Sequence, residues 1–517
     1  MLASLLHRMP CVPAFELSKT IMSQYLRNMG AMIGQSTIQR LLGMLTTVVL
    51  ARVLGSANFG IYSIVVNTAT SAYGLVRMGI DAAIHVHTAE HHPDVETRGR
   101  KGQMLGAGLT LLIAAGILGA VICLLFAKWI ADVIYGKPEL TPWIRLASFL
   151  VFFQCVSQFT YTLLAGLHRF QEYARVMVIS VAASAVVLSI SSIWLGLQGA
   201  LGGLIVMQAV TLWMLYRQAH AALSHEKLSL HFLSFLETSA LLLKNGFPFY
   251  AAGLVSIPAT YYLHGLVTKC SGLEAMGGLR VIASMTTLMS FIPTAISAVM
   301  ISHFSRRSTG EYGAFIRSTL SNFKYVWLFV LIVCAGMFTF LPLIIDVLFG
   351  NAYEVFVGPA SIAILSSMFA CLLGIVGNVS LSRKRADFIF VYSLIQTAVF
   401  FVVALLAVPK YELAGYFMAE LSGLVCALGF VWKTTSGWRA RNLVSPPWVP
   451  IMVGISALFL VLFSVIGMFG SSGLRMSVGI ACLMLVLSLG YWRVLDNEER
   501  TLFVIFVGRK LLRRVSR

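Results

Sequence analysis

Long apolar runs, each close to twenty residues, recur along the whole chain and decide which folds it can adopt. A helix that crosses the hydrocarbon core of a bilayer needs about 20 such residues. Charged residues make up only 11% of the 517 residues, against about 25% in soluble domains. A soluble protein of this size could not cover its surface with so few charges. The sequence therefore predicts an all-α polytopic membrane protein and excludes a cytosolic enzyme, a secreted domain and a disordered chain.

A window of this length predicts about fourteen transmembrane helices. They cover residues 29–53, 60–82, 103–126, 144–166, 174–196, 199–216, 246–267, 279–302, 325–348, 358–381, 387–408, 412–432, 449–469 and 474–492.

The cations are distributed unevenly between the loops that join these spans. When the N-terminus is placed in the cytoplasm, 28 of the 38 Lys and Arg residues fall on the cytoplasmic side and 8 on the opposite side, while Arg40 and Arg77 lie within spans. This asymmetry follows the positive-inside rule and predicts that both termini are cytoplasmic. It also accounts for most of the net charge of +18, so no nucleic-acid partner is predicted.

An internal repeat relates the two halves of the chain. The segment FAKWIADVIYG at 126–136 matches FLPLIIDVLFG at 340–350, and each ends a span on the non-cytoplasmic side. Gly55 and Gly60, after the first span, match Gly272 and Gly277, after the seventh. Because six spans separate the copies, both halves insert with the same orientation, as in transporters with parallel repeats.

The repeat divides the chain into two six-helix lobes with a C-terminal addition. The predicted segments are a cytoplasmic N-terminal segment (1–28), an N-lobe (29–217), a cytoplasmic linker (218–245), a C-lobe (246–433), two extra helices (448–492) and a basic cytoplasmic tail (493–517). The tail alternates apolar and basic residues, which indicates binding to the lipids of the inner leaflet.

No catalytic or metal site is predicted. The eight cysteines lack metal-ligand spacing, and the histidines at 85–92 are followed by Pro93 in a solvated loop. The chain also lacks a phosphate-binding GxxxxGK[ST] motif, which excludes an ATP-driven pump of that kind. We therefore expect that the protein is not an enzyme.

The order of several soft motifs resembles a known family. They are TTVVLARVLGSANFGIYSIVVN (46–67), VRMGIDAAIHVHTAE (76–90), EAMGGLRVIASMTTLMSFIPTAISAVMISHFSR (274–306) and LFGNAYE (348–354). In this order they are similar to the polysaccharide transporters of the multidrug/oligosaccharidyl-lipid/polysaccharide (MOP) exporter superfamily.

The resemblance implies the two-lobe, MATE-like fold of that superfamily. It also implies a flippase in the bacterial inner membrane that moves a polyprenyl-pyrophosphate-linked oligosaccharide to the periplasmic leaflet for surface polysaccharide synthesis. A polysaccharide polymerase or assembly complex is a further partner to expect. Three alternatives stay open: a cation-coupled drug or small-molecule antiporter of the same superfamily, a membrane-embedded glycosyl- or acyltransferase, and a non-transporting scaffold.

Arg40 lies near the middle of the first predicted span. It is 12 residues before Arg52, which corresponds to about 18 Å of helix. A charge at that depth costs about 2.5–3.5 kcal/mol or more, so we expect Arg40 to face the interior. Its guanidinium suits the phosphate oxygens of a substrate. A structural contact with Glu420 or with backbone carbonyls is the alternative.

Glu420 is the acid placed deepest within a predicted span, the twelfth. It could bind a coupling proton or Na⁺, or it could neutralise Arg40. No other cofactor is predicted.

The remaining candidates for substrate binding are polar or aromatic side chains within the spans or at their ends. They are Arg77, Arg280, Gln35, Gln39, Tyr261, Tyr262 and His264. Arg77 could equally form a local pair with Asp81, four residues later. The aromatic group at the outer end of the seventh span also fits an interfacial belt. Pro258 and Pro293 are predicted hinges, because proline removes a helical hydrogen bond.

Overall fold

The computed structural model is helical in the part of the chain that it describes, and that part contains no β-strand. It describes residues 14–81, 83–84, 95–167, 169–226, 228, 235–289, 312–382, 386–442, 453–459, 461 and 472–489. The predicted all-α class is confirmed.

The first half contains α1 (Ala14–Val76), α2 (Val95–Trp129), α3 (Thr141–Gly166) and α4 (Phe170–His225). A π-helical turn (Ile130–Ile134) continues α2, and a 3₁₀ turn (Pro138–Leu140) precedes α3.

The second half contains α5 (Phe235–Met289), α6 (Tyr312–Phe349), α7 (Val357–Ser382) and α8 (Ala386–Asn442), followed by α9 (Ser472–Leu489). A 3₁₀ turn (Asn351–Phe356) joins α6 to α7. Residues 453–459, in the predicted thirteenth span, are also helical.

Four helices are too long to be single membrane spans. The shortest of them, α5, has 55 residues, or about 80 Å of straight helix, whereas the hydrocarbon core is about 30 Å thick. Each is broken at one residue with a positive φ: Gly55 (72°), Gly196 (57°), Gly272 (81°) and Glu412 (53°). Each long helix therefore consists of two arms. Seven described helical stretches are long and apolar enough to cross a membrane, and the count of fourteen stays a prediction.

The order of elements repeats along the chain. A broken helix, two unbroken helices and a second broken helix form each half. Gly136 (φ 64°) and Gly350 (φ 88°) occupy matching positions in the two halves, at the ends of the segments whose sequences match. The repeat detected in the sequence thus has a counterpart in the backbone, and the exact limits of the predicted segments stay predictions.

Apolar packing joins the two halves. α1 packs against α5, while α8 packs against α5 and α7. The largest cluster of buried residues takes Phe59 from α1 and Val267 and Ile282 from α5. Two smaller clusters lie nearer the predicted cytoplasmic ends, one around Ile84 and the other around Leu424.

The outside of the bundle is apolar, as expected for a surface in contact with lipid. Trp194 is 81% exposed, Leu125 74% and Leu406 70%. Large exposed apolar surfaces are uncommon on soluble monomers. This surface supports the multi-pass membrane assignment.

Candidate functional site

A cavity of about 280 Å³ lies where the second arm of α1 faces helices of the second half. It is lined by Ser63 and Asn67 of α1, Thr260, His264, Met276, Leu279, Arg280, Ala283 and Thr286 of α5, Ala363 and Ser367 of α7, and Tyr416, Phe417 and Glu420 of α8. Several of these residues are four positions apart on one helix, which places them on one helical face. Three predicted site residues are brought together here: His264, Arg280 and Glu420.

Arg280 is the cation of this lining, on the second arm of α5. Within the part of the chain that the structure describes, no hydrogen bond or ion pair holds its guanidinium. A cation that lines a cavity without a protein partner is suited to an anionic ligand. The second-arm location agrees with the position predicted for Arg280 at the start of the eighth span.

Glu420 is the carboxylate of the lining. It lies one turn after Tyr416 on α8, and among the described residues it makes no ion pair with Arg280. The cavity is therefore lined by one basic and one acidic side chain, which are not paired with each other.

His264 connects the two halves beside the cavity. The side-chain amide nitrogen of Asn67 lies 2.6 Å from Nδ1 of His264, and Nε2 lies 3.0 Å from the hydroxyl of Tyr416. His264 is only 8% exposed. When the Asn67 amide donates to Nδ1, the Nε2–H of the neutral ring is free to donate to Tyr416. Both ring nitrogens are thus occupied by protein groups.

Arg40 lies next to the cavity wall rather than in it. Its Nη1 donates a hydrogen bond of 3.1 Å to the carbonyl oxygen of Thr287, the residue after Thr286. This contact crosses from α1 to α5 and matches the backbone-carbonyl alternative raised for Arg40. One turn earlier on α1, Gln35 donates to Gln39 across 2.7 Å. Gln35 is buried, whereas Gln39 is exposed.

The two predicted tyrosines lie apart from the cavity lining. The hydroxyl of Tyr261 is 2.8 Å from the Thr68 hydroxyl, so Tyr261 forms a second polar link between α1 and α5. Tyr262 is 43% exposed and packs against Phe401, with 5.8 Å between the ring centres. Adjacent residues on a helix point about 100° apart, which explains why these neighbours have different surroundings.

Arg77 belongs to a polar cluster inside the first half. Its Nη1 lies 3.0 Å from a carboxylate oxygen of Asp81, and Gln158 of α3 donates to the same oxygen across 3.1 Å. The guanidinium also stands over the ring of Tyr73 at 5.6 Å. The local pair predicted as the alternative is present. Arg77 does not line the cavity described above.

The predicted hinge at Pro258 does not coincide with the break in α5. The chain stays helical through Pro258, and the residue of α5 with non-helical backbone angles is Gly272. The hinge role of Pro258 stays a prediction. Pro293 lies outside the described residues.

Asn67 and Tyr416 were not predicted as site residues. Asn67 is an amide within an apolar span, and Tyr416 precedes Glu420 by one helical turn. The spacing of Tyr416 from Glu420 is the signal that could have identified it. Among the described residues, no group of His, Cys, Asp and Glu side chains is arranged to hold a metal ion.

Comparison with protein families gives a match over more than half of the chain. The family described as "Polysaccharide biosynthesis protein" matches residues 25–308. Comparison with curated proteins gave no match.

Comparison with solved structures identifies a shared fold. The lipid II flippase MurJ in an inward closed conformation superposes with a TM-score of 0.69 at 15% identity, over 89% of this chain and 98% of that chain. A multidrug resistance MATE family transporter of the MOP superfamily, in an inward-facing conformation, gives 0.56 at 14% identity, over 80% and 100%. A MATE transporter from Vibrio cholerae gives 0.58 at 12% identity, over 82% and 98%. The MATE-like fold expected from the sequence is confirmed.

Proposed function

The chain belongs to the family of polysaccharide biosynthesis proteins, and from this premise we propose that it is a flippase for a lipid-linked oligosaccharide. The substrate would be a polyprenyl-pyrophosphate-linked glycan, moved from the cytoplasmic to the periplasmic leaflet of a bacterial inner membrane. The family match and the fold, shared with a flippase and with multidrug transporters, support transport rather than catalysis.

The observation that carries this proposal is Arg280 in the cavity between the lobes. Its guanidinium lacks a hydrogen-bonding or ionic partner in the described part of the chain. Guanidinium groups bind phosphate oxygens through two parallel hydrogen bonds. A pyrophosphate supplies such oxygens and would satisfy the cation that the protein leaves exposed to the cavity.

Arg40 extends the cationic path toward the middle of the membrane. Its contact, Thr287, is seven residues after Arg280 on the same helical arm, a separation of about 10 Å along the helix axis. A pyrophosphate that moves outward from Arg40 would therefore reach Arg280 without crossing a wide apolar gap. We infer that the head group passes along this face of α5.

The size of the cavity indicates which part of the substrate it holds. A volume of about 280 Å³ lies just below the range of about 300–1,000 Å³ for ligand pockets. It suits a pyrophosphate with little of the glycan, so the lobes must separate further to pass the sugars. The polyprenyl tail would stay in lipid, against the exposed apolar surface of the bundle.

Glu420 is our candidate for coupling transport to a proton or Na⁺. It lines the same cavity as Arg280, so a bound cation there would alter the charge that the pyrophosphate meets. The same residue is what favours the second candidate function, a cation-coupled drug antiporter. That function fits less well, since Glu420 is the one carboxylate among the described lining residues.

Replacement of Arg280 tests the proposal. In cells that lack their chromosomal copy, Arg280→Gln should reduce surface glycan by about tenfold or more, the loss of one charge-assisted contact. Lipid-linked glycan should accumulate inside the cell. Arg280→Lys should retain part of the export because it keeps the charge.

Arg145→Gln is the matched control, because Arg145 is an exposed cation of α3 outside the cavity lining. Membrane levels of each variant are measured by immunoblot. Full export by Arg280→Gln at a normal membrane level would refute the assignment of Arg280 as the pyrophosphate contact.

A further inference from the structure

Arg52 reaches from the first lobe to the end of a helix in the second lobe. It lies near the end of the first arm of α1, and its Nε donates a 2.8 Å hydrogen bond to the carbonyl oxygen of Leu348, while Nη2 donates to Val347. These are among the last carbonyls of α6, which ends at Phe349. The final carbonyls of a helix have no partner within it and carry partial negative charge. Arg52 thus caps a helix of the opposite lobe.

Lys269 makes the reciprocal contact. It lies near the end of the first arm of α5, and its Nζ donates to the carbonyl oxygen of Val133. Val133 belongs to the π-helical turn that ends α2 in the first lobe. A cation of the second lobe thus caps the end of a helix in the first.

The internal repeat relates these two contacts. Arg52 and Lys269 are each three residues before the break of their helix, at Gly55 and Gly272. Their acceptors also correspond, since Val133 and Val347 are equivalent positions in the segments 126–136 and 340–350. The two contacts are therefore copies of the same interaction. In one copy the first lobe supplies the cation, and in the other copy the second lobe supplies it.

Between these two contacts, the backbone of one lobe lies directly against the backbone of the other. A Cβ atom on Gly60 would lie 2.0 Å from the carbonyl oxygen of Leu273, and one on Gly277 would lie 2.4 Å from that of Ser56. The positions again correspond through the repeat, with Gly60 opposite Gly277. A pseudo-twofold axis hence passes between these glycines, with one capping cation on either side.

We propose that Arg52 and Lys269 form a twofold latch that holds the lobes together at their predicted periplasmic end. The proposal rests on the proposed function, because alternating access requires the lobes to part at that end. Each contact joins opposite lobes, so both must break when the cavity opens there.

The chemistry of the latch suits a gate that opens repeatedly. Both cations are exposed, so water competes for them and each contact is weak. A cation at a helix C-terminus contributes a modest free energy, equivalent to roughly a two- to fivefold change in an equilibrium. Two such contacts in parallel would bias the lobes toward closure without locking them.

The test measures how readily a cavity residue is reached from the periplasm. Ser63 lines the cavity and is 3% exposed. In a variant whose native cysteines are replaced, Ser63→Cys is labelled in intact cells by a membrane-impermeant maleimide. Arg52→Gln and Lys269→Gln should each raise the labelling rate roughly two- to fivefold, and the double variant by roughly the product.

Lys128→Gln is the matched control, because Lys128 is an exposed cation of α2 that makes no hydrogen bond or ion pair among the described residues. It should leave the labelling rate unchanged. Arg52→Lys, which keeps a cationic donor, should restore a rate close to that of the parent and excludes general misfolding as the cause.

Labelling and glycan export are measured separately, so the two proposals can fail independently. An unchanged labelling rate in the Arg52→Gln, Lys269→Gln double variant would overturn the latch, whatever the export result. Increased labelling together with parent protein that exports no glycan would support the latch and refute the proposed substrate.

Discussion

A single buried imidazole, that of His264, links the two lobes beside the cavity. One ring nitrogen contacts Asn67 of the first lobe and the other contacts Tyr416 of the second. A buried polar group costs free energy unless it is hydrogen-bonded, and here both nitrogens are satisfied. The ring is therefore held in place by the protein, and its two nitrogens are not available to a ligand.

Arg40 offers a test that separates charge from hydrogen bonding. Arg40→Gln keeps a donor for the carbonyl of Thr287 but removes the charge. If Arg40 binds pyrophosphate, Arg40→Gln and Arg40→Ala should both lower surface glycan by about tenfold or more at normal membrane levels, while Arg40→Lys retains part of it. Full export by Arg40→Gln would show that the charge is not required and would refute pyrophosphate binding by Arg40.

The sequence identified which polar residues to examine but not which of them meet. His264, Arg280 and Glu420 were predicted and line one cavity, whereas Tyr262 points toward Phe401. Spans that are apolar on every side carry no amphipathic stripe, so the sequence does not fix how each helix is rotated about its axis. Asn67 could not be chosen among similar residues for the same reason, whereas the spacing of Tyr416 from Glu420 was a usable signal.

At the scale of elements, the breaks in the four long helices show which backbone features can be predicted from a sequence. Gly55 and Gly272 are matching positions of the sequence repeat, and the structure breaks α1 and α5 there. Pro258 was the predicted kink because proline lacks a donor, yet α5 stays helical at that residue. A membrane helix can continue past a missing hydrogen bond. A residue with a positive φ, in contrast, does not have helical backbone angles and therefore breaks the helix.

The break in α8 is unusual because it lies at a glutamate. Glu412 has φ 53° and ψ −131°, close to the φ 57° and ψ −135° of Gly196 at the matching break in α4. That region is open to glycine and strained for other residues, at a cost of about 1–3 kcal/mol. The fold therefore imposes on Glu412 a conformation that its own side chain opposes.

Exchange of these two residues should change stability in opposite directions. Glu412→Gly should stabilise the protein by about 1 kcal/mol, after allowance for the greater entropy of the unfolded chain with glycine. Gly196→Glu should destabilise it by a similar amount through backbone strain alone, because no atom lies within 4 Å of a Cβ at Gly196. Thermal unfolding in detergent measures both. A lower melting temperature for Glu412→Gly would contradict the assigned strain.

At the scale of the whole molecule, the lobes contact each other unequally at their two ends. The cluster that joins them lies mainly toward the predicted periplasmic end, with Phe59 and Ile282 among its members. At the other end, the backbones of Gly79 and Gly246 meet, the latter within the first arm of α5. In this conformation the lobes are packed together at the predicted periplasmic end, so the cavity can open there only if they part.

That orientation is tested by labelling one residue at each end. Ala57 follows the break in α1 and is exposed, and Ser224, also exposed, lies near the end of α4 on the opposite side. The asymmetry of cations places Ala57 in the periplasm and Ser224 in the cytoplasm. With native cysteines replaced, an impermeant thiol reagent should therefore label Ala57→Cys in intact cells and Ser224→Cys only after permeabilisation. The reverse pattern would place Arg52 and Lys269 on the cytoplasmic face and invert the direction in which the cavity is closed.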